Sequence, residues 1–412
     1  MKLPSLLSSG PLRALLAAEV ISTSGSQMTW LALPWFVLTT SGSATRMSFV
    51  VAAEVIGMGL MTLPGSRLLS HFGARRTMLV CDGFRAPLIV LIPGLYWVGA
   101  LSFPLLIAIA LAVGAMTAPY FAAQKVILPE LIGEDEEVLT QASALTQAST
   151  RVTMLLGPVL AGVLIAVIGA PSVLIVDGVT YVVAVLLVAG FVPRRPPLEV
   201  SEESRGIGTA VRFILREPLL RIWNPALAIG DMAWTAFFVT VPVLVVARFG
   251  ADARIAGFLL ASFGVGALVG NAVSFKFARR VEAMKLIATF IIGQALPLWL
   301  LTLPVPAVAL CAALAFSGIA NGIVNPPIHA TMTLRIPPAL RATVMPAMML
   351  TWTILQPLGL FTAGPVLDAF GAKPVLIAFA TIQTLMMAAV ALACLRVRPR
   401  AASSAALPAG SS

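Results

Sequence analysis

Apolar runs long enough to cross a bilayer follow one another along almost the whole chain, and they carry the same short motifs twice. Met28-x-Trp30 returns as Met232-x-Trp234, Pro34 as Pro242, and Ala74-Arg75-Arg76 as Ala278-Arg279-Arg280. Pro119 and Pro129 return as Pro326 and Pro337, and Gly157-Pro158-Val159-Leu160 as Gly364-Pro365-Val366-Leu367. The order is kept and the spacing between copies is nearly constant, which describes two homologous halves lying in the same orientation. Inside hydrocarbon a chain satisfies its backbone only as helices or closed barrels. Runs of helical length therefore predict an all-α membrane protein.

Composition agrees. Of 412 residues 59% are hydrophobic and 11% charged, and the mean hydropathy is +0.98, too little polar surface for a water-soluble domain of this size. At about 20 residues per span the sequence divides into twelve transmembrane helices in two pseudo-symmetric bundles. Residues 1-193 form an amino-terminal six-helix bundle, 194-219 a linker, 220-395 a carboxyl-terminal six-helix bundle and 396-412 a disordered tail. Twenty-one of the Lys and Arg fall on one side of these spans, while the other side holds only Arg46, Arg248, Arg254 and Lys373. Cytoplasmic loops collect positive charge, so both termini are expected in the cytoplasm. The net charge of +10 reports topology, and no nucleic-acid partner is expected. The first apolar run leads straight into the first repeat and reads as a retained helix, not a cleaved leader.

Cys81, Cys311 and Cys394 are isolated in apolar stretches, which gives neither a disulfide framework nor a metal site. No cofactor is expected. The linker mixes Pro with charge, as in Pro193-Arg194-Arg195-Pro196-Pro197, and ends in a short amphipathic stretch around Ala210-Arg216 that is read as a surface helix.

Several motifs resemble those of the major facilitator superfamily, and over nearly its whole length the chain is similar to the twelve-helix drug-efflux branch that includes macrolide and siderophore exporters. Leu128-Pro129-Glu130-Leu131, Gln141-Ala142-Ser143 and Gly157-Pro158-Val159-Leu160-Ala161-Gly162 carry the resemblance. The last looks like the family's antiporter motif, in which Gly157, Pro158 and Gly162 would permit close helix approach. The stretch from Ser66 through Ser70 and Gly73 to Arg75 and Arg76 resembles the family's loop between second and third helices. Ser70 stands where that loop has an aspartate, which puts its charge latch in doubt. The resemblance implies alternating access by a monomer in a bacterial inner membrane, with protons and a small molecule as partners. No Walker loop, HExxH or Ser/His/Asp arrangement points to an enzyme.

Ionisable residues within hydrocarbon are functional candidates because burying them is expensive. Asp231 lies ten residues past Arg221, about 15 Å along a helix and so near mid-membrane. It is read either as a proton- or cation-handling group or as a structural hydrogen-bonding one. Glu54 is the second candidate, and Glu19, near the inner end of the first helix, a third. Ser143, Gln147 and Arg151 form a polar stripe on the fifth helix, and Asn321, Asn325 and His329 one on the tenth, a pair able to line a central cavity. Gln27, Gln356 and Met348, with its neighbours Met345 and Met349, are further cavity candidates. Asp82 and Arg85, three apart, are read as a structural pair, and Asp177 likewise as structural.

Overall fold

The computed structural model describes residues 10–132, 136–194, 207–277 and 281–396. Residues 195–206 of the linker, the predicted tail beyond residue 396 and the second copy of the Ala-Arg-Arg motif lie outside these residues. The helices of the first half are α1 (Gly10–Ser41), α2 (Ala44–Phe72), α3 (Ala74–Trp97), α4 (Phe103–Ile132), α5 (Glu136–Ile168) and α6 (Ala170–Phe191). A short α7 (Ile207–Arg216) leads to α8 (Leu220–Arg248), α9 (Ala253–Phe277), α10 (Ala283–Ala295), α11 (Ala307–Arg335), α12 (Pro338–Phe370) and α13 (Ala372–Arg396). Pro297 has no N–H to donate, and α10 gives way there to a 3₁₀ turn over Leu296–Thr302 that completes the span.

Among the described residues eleven helices are long and apolar enough to cross a membrane. The twelfth long helix is α1, whose middle carries Ser22, Thr23, Ser24, Ser26 and Gln27. Those groups lower its hydropathy, yet α1 packs lengthwise against α5 and α6, and several of its hydroxyls meet buried charges on α3 and α6. The amphipathic α7 turns Ala210 and Ile214 inward and packs against α8 and α12.

The duplication is visible in the packing. In the first half α2 packs on α4, α1 on α6, and α3 on both α4 and α6. In the second, α9 packs on α11, α8 on α13, and α10 on both α11 and α13. Glycines set the closest crossings: a Cβ at Gly114 would collide with the Glu54 carbonyl of α2, and one at the repeat-related Gly318 with the Phe263 carbonyl of α9. Lipid tails give apolar side chains no incentive to leave them, so close backbone contact supplies the attraction.

The halves meet along α2 with α12 and α5 with α9. At the end of the bundle bearing the α1–α2 turn, here the far end, these pairs are tight. Gly364 abuts Thr45 and Ser48, Gly162 abuts Ala253 and Arg254, and Gly257 abuts the Pro158 carbonyl. One face of α5 runs through Gln147, Arg151, Leu155, Pro158 and Gly162 at helical spacing. Its far-end part is covered by α9, whereas Gln147 and Arg151 toward the terminal end are exposed, and so is Phe275 of α9, at 80%. The two helices touch at the far end and splay toward the end holding the termini.

Gly318→Ala is expected to force α9 and α11 apart and cost about 1–3 kcal/mol, the usual range for overpacking. A melting curve of the detergent-purified protein reads this as a lowered midpoint. Gly94→Ala, where an added Cβ meets nothing within 4 Å, should leave the midpoint unchanged or raise it slightly.

Candidate functional site

In the second half, α8, α10, α11, α12 and α13 enclose a pocket of about 200 Å³. Its walls include Asp231 and Trp234 from α8, Asn321, Asn325 and His329 from α11, Trp352 from α12 and Gln383 from α13. Asp231 reaches this position because α8 runs unbroken from its Arg221 end. The Gln356 side-chain amide donates to Asp231 Oδ2, which fixes the carboxylate between α8 and α12. Gln383 Nε2 donates to the Gly230 carbonyl at 2.7 Å, leaving its Oε1 without a partner among the described residues. Trp352 Nε1 donates to Asn224 Oδ1 at 3.0 Å, and its ring lies 6.2 Å from that of His329. Trp234 is braced by Phe237, Phe263 and Phe379. Among the described lining residues Asp231 is the only acid, and none is Lys or Arg.

The structure thus brings together Asp231, Gln356, Asn321, Asn325 and His329. It places the other candidates elsewhere. Gln147 and Arg151 lie on the splayed face of α5, and the side chain of Ser143 is outside the described residues. Gln27 packs against Gly157. Met348 is buried in the packing around α7, α8 and α12, with Met345 beside it, while Met349 is exposed. Trp352, Gln383 and Gln294 were not singled out from sequence; a lone amide in an apolar span was the available signal for each glutamine.

Glu54 borders a small apolar pocket with Trp30, Pro34, Met58 and Thr117, so the duplicated Trp30 and Trp234 each face a pocket of their own half. Glu19 is buried on α1. Asp82 and Arg85 do pair, at 3.3 Å, within a wider network. Ser22 donates to Asp82 Oδ2 at 3.2 Å, and Arg85 Nη2 donates to Tyr181 Oη at 2.6 Å and Ser26 Oγ at 3.1 Å. Thr29 and Thr180 donate to Asp177. Gly25 makes room for this contact, since a Cβ there would fall on Thr180 and Asp177.

In the loop between α2 and α3, Gly73 adopts φ +76°, a turn conformation that favours glycine. Ser70 donates to the Arg67 carbonyl of its own helix at 3.0 Å. Arg75 caps the end of α6 through the Val192 and Ala189 carbonyls, and Arg76 lies over the Phe72 ring. A carboxylate latch between halves exists at the opposite end. Asp368, near the end of α12, accepts from the Ala44 and Thr45 backbone N–H groups at 2.6 and 3.0 Å and from Ser43 Oγ at 2.8 Å. A carboxylate is unfavourable in the last turn of its own helix and favourable at another helix's amino end, so Asp368 finds its partners on α2. Sequence held a signal for it, because the repeat places Ala161 where the second half has Asp368.

The family profile described as Major Facilitator Superfamily matches residues 15–360. The chain is 26% identical over 405 residues to a multidrug efflux pump named Tap from Mycolicibacterium fortuitum, covering 94% of this chain and 97% of that one. It is 26% identical over 165 residues, 40% of this chain and 41% of the other, to a staphyloferrin A transporter of Staphylococcus aureus. Among solved structures it superposes on the nucleoside transporter NupG with TM-score 0.74, covering 94% of this chain and 99% of that one at 13% identity. A D-xylose–proton symporter gives 0.71, covering 94% and 98%, also at 13% identity. Identities this low speak to fold alone.

Removing the Asp368 charge tests the far-end latch. The interaction of an exposed carboxylate with a helix amino terminus is worth about 0.3–1 kcal/mol, up to ~2 kcal/mol when partly buried. Asp368→Asn should therefore shift the population about two- to tenfold toward the state with its far end open, a tenfold change being about 1.4 kcal/mol. Distances between spin labels at Ser102 and Val308 would show this as growth of a longer component; an unchanged distribution would mean the apolar contacts alone hold that end.

Proposed function

The chain belongs to the major facilitator superfamily, and we propose that it is a proton-driven exporter of amphipathic cationic small molecules working by alternating access. The observation that carries this is the second-half pocket: one carboxylate, free of Lys and Arg among the described lining residues, beside two tryptophans. A cation gains from the Asp231 charge and from the faces of Trp234 and Trp352, while an apolar body is accommodated by Leu227, Ile328 and Met387. The unpartnered Gln383 Oε1 offers an acceptor to an ammonium or amide donor. A proton and a cationic substrate then compete for Asp231, and that competition is the coupling: the group binds one or the other, and Gln356 steadies it when it is ionised.

The positive-inside count supports placing the terminal end in the cytoplasm of a bacterial inner membrane. On that reading the splay of α5 from α9 is an inward-open arrangement, and the Asp368 latch seals the periplasmic end. Similarity along nearly the full length to proteins named multidrug efflux pumps supports export of drugs. A dedicated exporter of a siderophore or other natural product is the second reading, favoured by the staphyloferrin A transporter match and by the exposed cation Arg151 on a face that would suit an acidic cargo.

Asp231→Asn keeps the size and hydrogen-bonding shape of the side chain but removes its charge and its proton. In liposomes with an imposed pH gradient, export of a lipophilic cation dye should fall about tenfold or more, equivalent to at least ~1.4 kcal/mol of lost transition-state stabilisation. Transport at the wild-type rate would remove Asp231 from the coupling step.

Alternating access is tested separately. A cysteine at Asn325 or Gln147 should react with a water-soluble thiol reagent, and adding the dye or changing pH should alter that reactivity as the populations shift. No labelling at either position under any condition would mean that both stripes are packed.

A further inference from the structure

Three carboxyl groups of the first half, Asp82, Asp177 and Glu54, lie around a single guanidinium, and a fourth, Glu19, is buried on α1 beyond Tyr120. Glu19, Asp82 and Asp177 are 4%, 3% and 0% exposed, and Arg85 is 4% exposed. Asp82 touches Arg85 directly. Asp177 and Glu54 lie within electrostatic reach of Arg85. Glu19 neighbours Tyr120, whose ring is 5.6 Å from the Arg85 guanidinium.

The remaining titratable groups facing the cluster are Cys81 of α3, Tyr120 of α4 and Tyr181 of α6. No second cation reaches it among the described residues: Arg46 lies over Phe103 at the far end, and Lys125 and Arg151 are exposed. One positive charge therefore faces up to three negative ones, with Glu19 a fourth acid beyond Tyr120. A buried carboxylate without a compensating partner is strongly disfavoured and takes up a proton instead. Among the described residues three buried polar atoms here have no hydrogen-bond partner, Glu19 Oε2, Tyr120 Oη and Arg85 Nε, all on residues more than nine-tenths buried.

We propose that this cluster is a proton-binding site of the first half, distinct from Asp231. Arg85 keeps one carboxylate ionised, the others carry exchangeable protons, and Glu19 is the entry from the terminal end. Hydrogen bonds join the middle of the series, and Glu19 and Glu54 flank it within electrostatic reach. Glu19 adjoins Tyr120; Ser22 bonds Asp82; Arg85 links Asp82 to Ser26 and Tyr181; and Thr29 and Thr180 hold Asp177. Between Glu19 and Thr29, α1 rises about 15 Å, roughly half of a ~30 Å hydrocarbon core. Glu54 ends the series at the pocket beside Trp30. Each transfer moves one proton from a carboxylic acid to a carboxylate through an intervening hydroxyl, which gives up one proton as it takes another, so no other reactant is required. Only the use of these protons in transport rests on the function proposed above; their presence is a matter of charge balance inside this half.

The test is infrared spectroscopy of the purified full-length chain in lipid nanodiscs, following the C=O stretch of protonated carboxyl groups at neutral pH in H₂O and D₂O. The expected result is a band that shifts on transfer to D₂O, persists in Asp231→Asn, and loses one component in each of Glu19→Gln and Glu54→Gln. Both substitutions are isosteric, and a melting curve confirms that the variants are folded. Absence of the band, a band that fails to shift in D₂O, a band unaltered by both glutamines, or a band that appears only when sodium is withdrawn would each overturn the proposal. The two readings fail separately. Wild-type transport by Asp231→Asn with the band intact would sink the coupling role of Asp231 alone, and loss of transport in that variant with no exchangeable band in the wild type would sink the cluster alone.

Discussion

Hydrocarbon contains no hydrogen-bond partners, and the placement of nearly every polar group in this chain answers to that. Isolated hydroxyls such as Thr117, Ser149, Thr240 and Thr351 bond back to carbonyls one turn earlier in their own helices. Charged groups turn toward other helices, where Ser22, Ser26, Thr29 and Tyr181 wait for Asp82, Arg85 and Asp177. The same solvent removes the usual reason for apolar surfaces to associate, so helix adhesion depends on backbone proximity at residues such as Gly114 and Gly318. These two demands, satisfied polar groups and very close crossings, leave α2 with α4 and α9 with α11 in equivalent arrangements.

On that shared scaffold the halves have diverged in what they bury. The first half encloses an arginine and several carboxyls within its own packing, and its Glu54 borders a small apolar pocket. The second has no counterpart to Arg85 in its pocket and sets Asp231 in an open polar one. The difference has a physical consequence. A carboxylate held against a neighbouring guanidinium is compensated and gives little to a visiting cation, whereas one steadied by a neutral amide, as Asp231 is by Gln356, keeps its charge available.

Fold class was legible from sequence because span length and the repeated Gly-Pro and Trp motifs are local signals. Asp231 was legible for a related reason, since a lone acid deep in an apolar run has few innocent explanations. Other parts were hidden. The hydroxyls in the middle of α1 are explained only by residues on α3 and α6, far along the chain. The wider network around Asp82 and Arg85 was invisible because spacing reveals a partner on the same helix and says nothing of three others. Attention to the loop at Ser70 followed the family pattern, while the carboxylate that bridges the halves sits at Asp368. Its signal was a mismatch between two copies of one motif, and mismatches are harder to weigh than matches.

The placement of the charges also separates what must break from what must persist. A carrier needs two arrangements within a few kcal/mol of each other. Ion pairs spanning the halves deep in the membrane would oppose this, because parting them would strand charges in hydrocarbon. The carboxylate contact between α2 and α12, at Asp368, lies at the bundle's end, where released N–H groups and a freed carboxylate would meet water. The deep charges, Asp82 with Arg85 and Asp231 with Gln356, each find their partners within one half. On the proposed alternating access, sliding one half against the other would leave those contacts intact and part glycine-lined packing, the Phe49–Phe361 ring contact and the Asp368 cap.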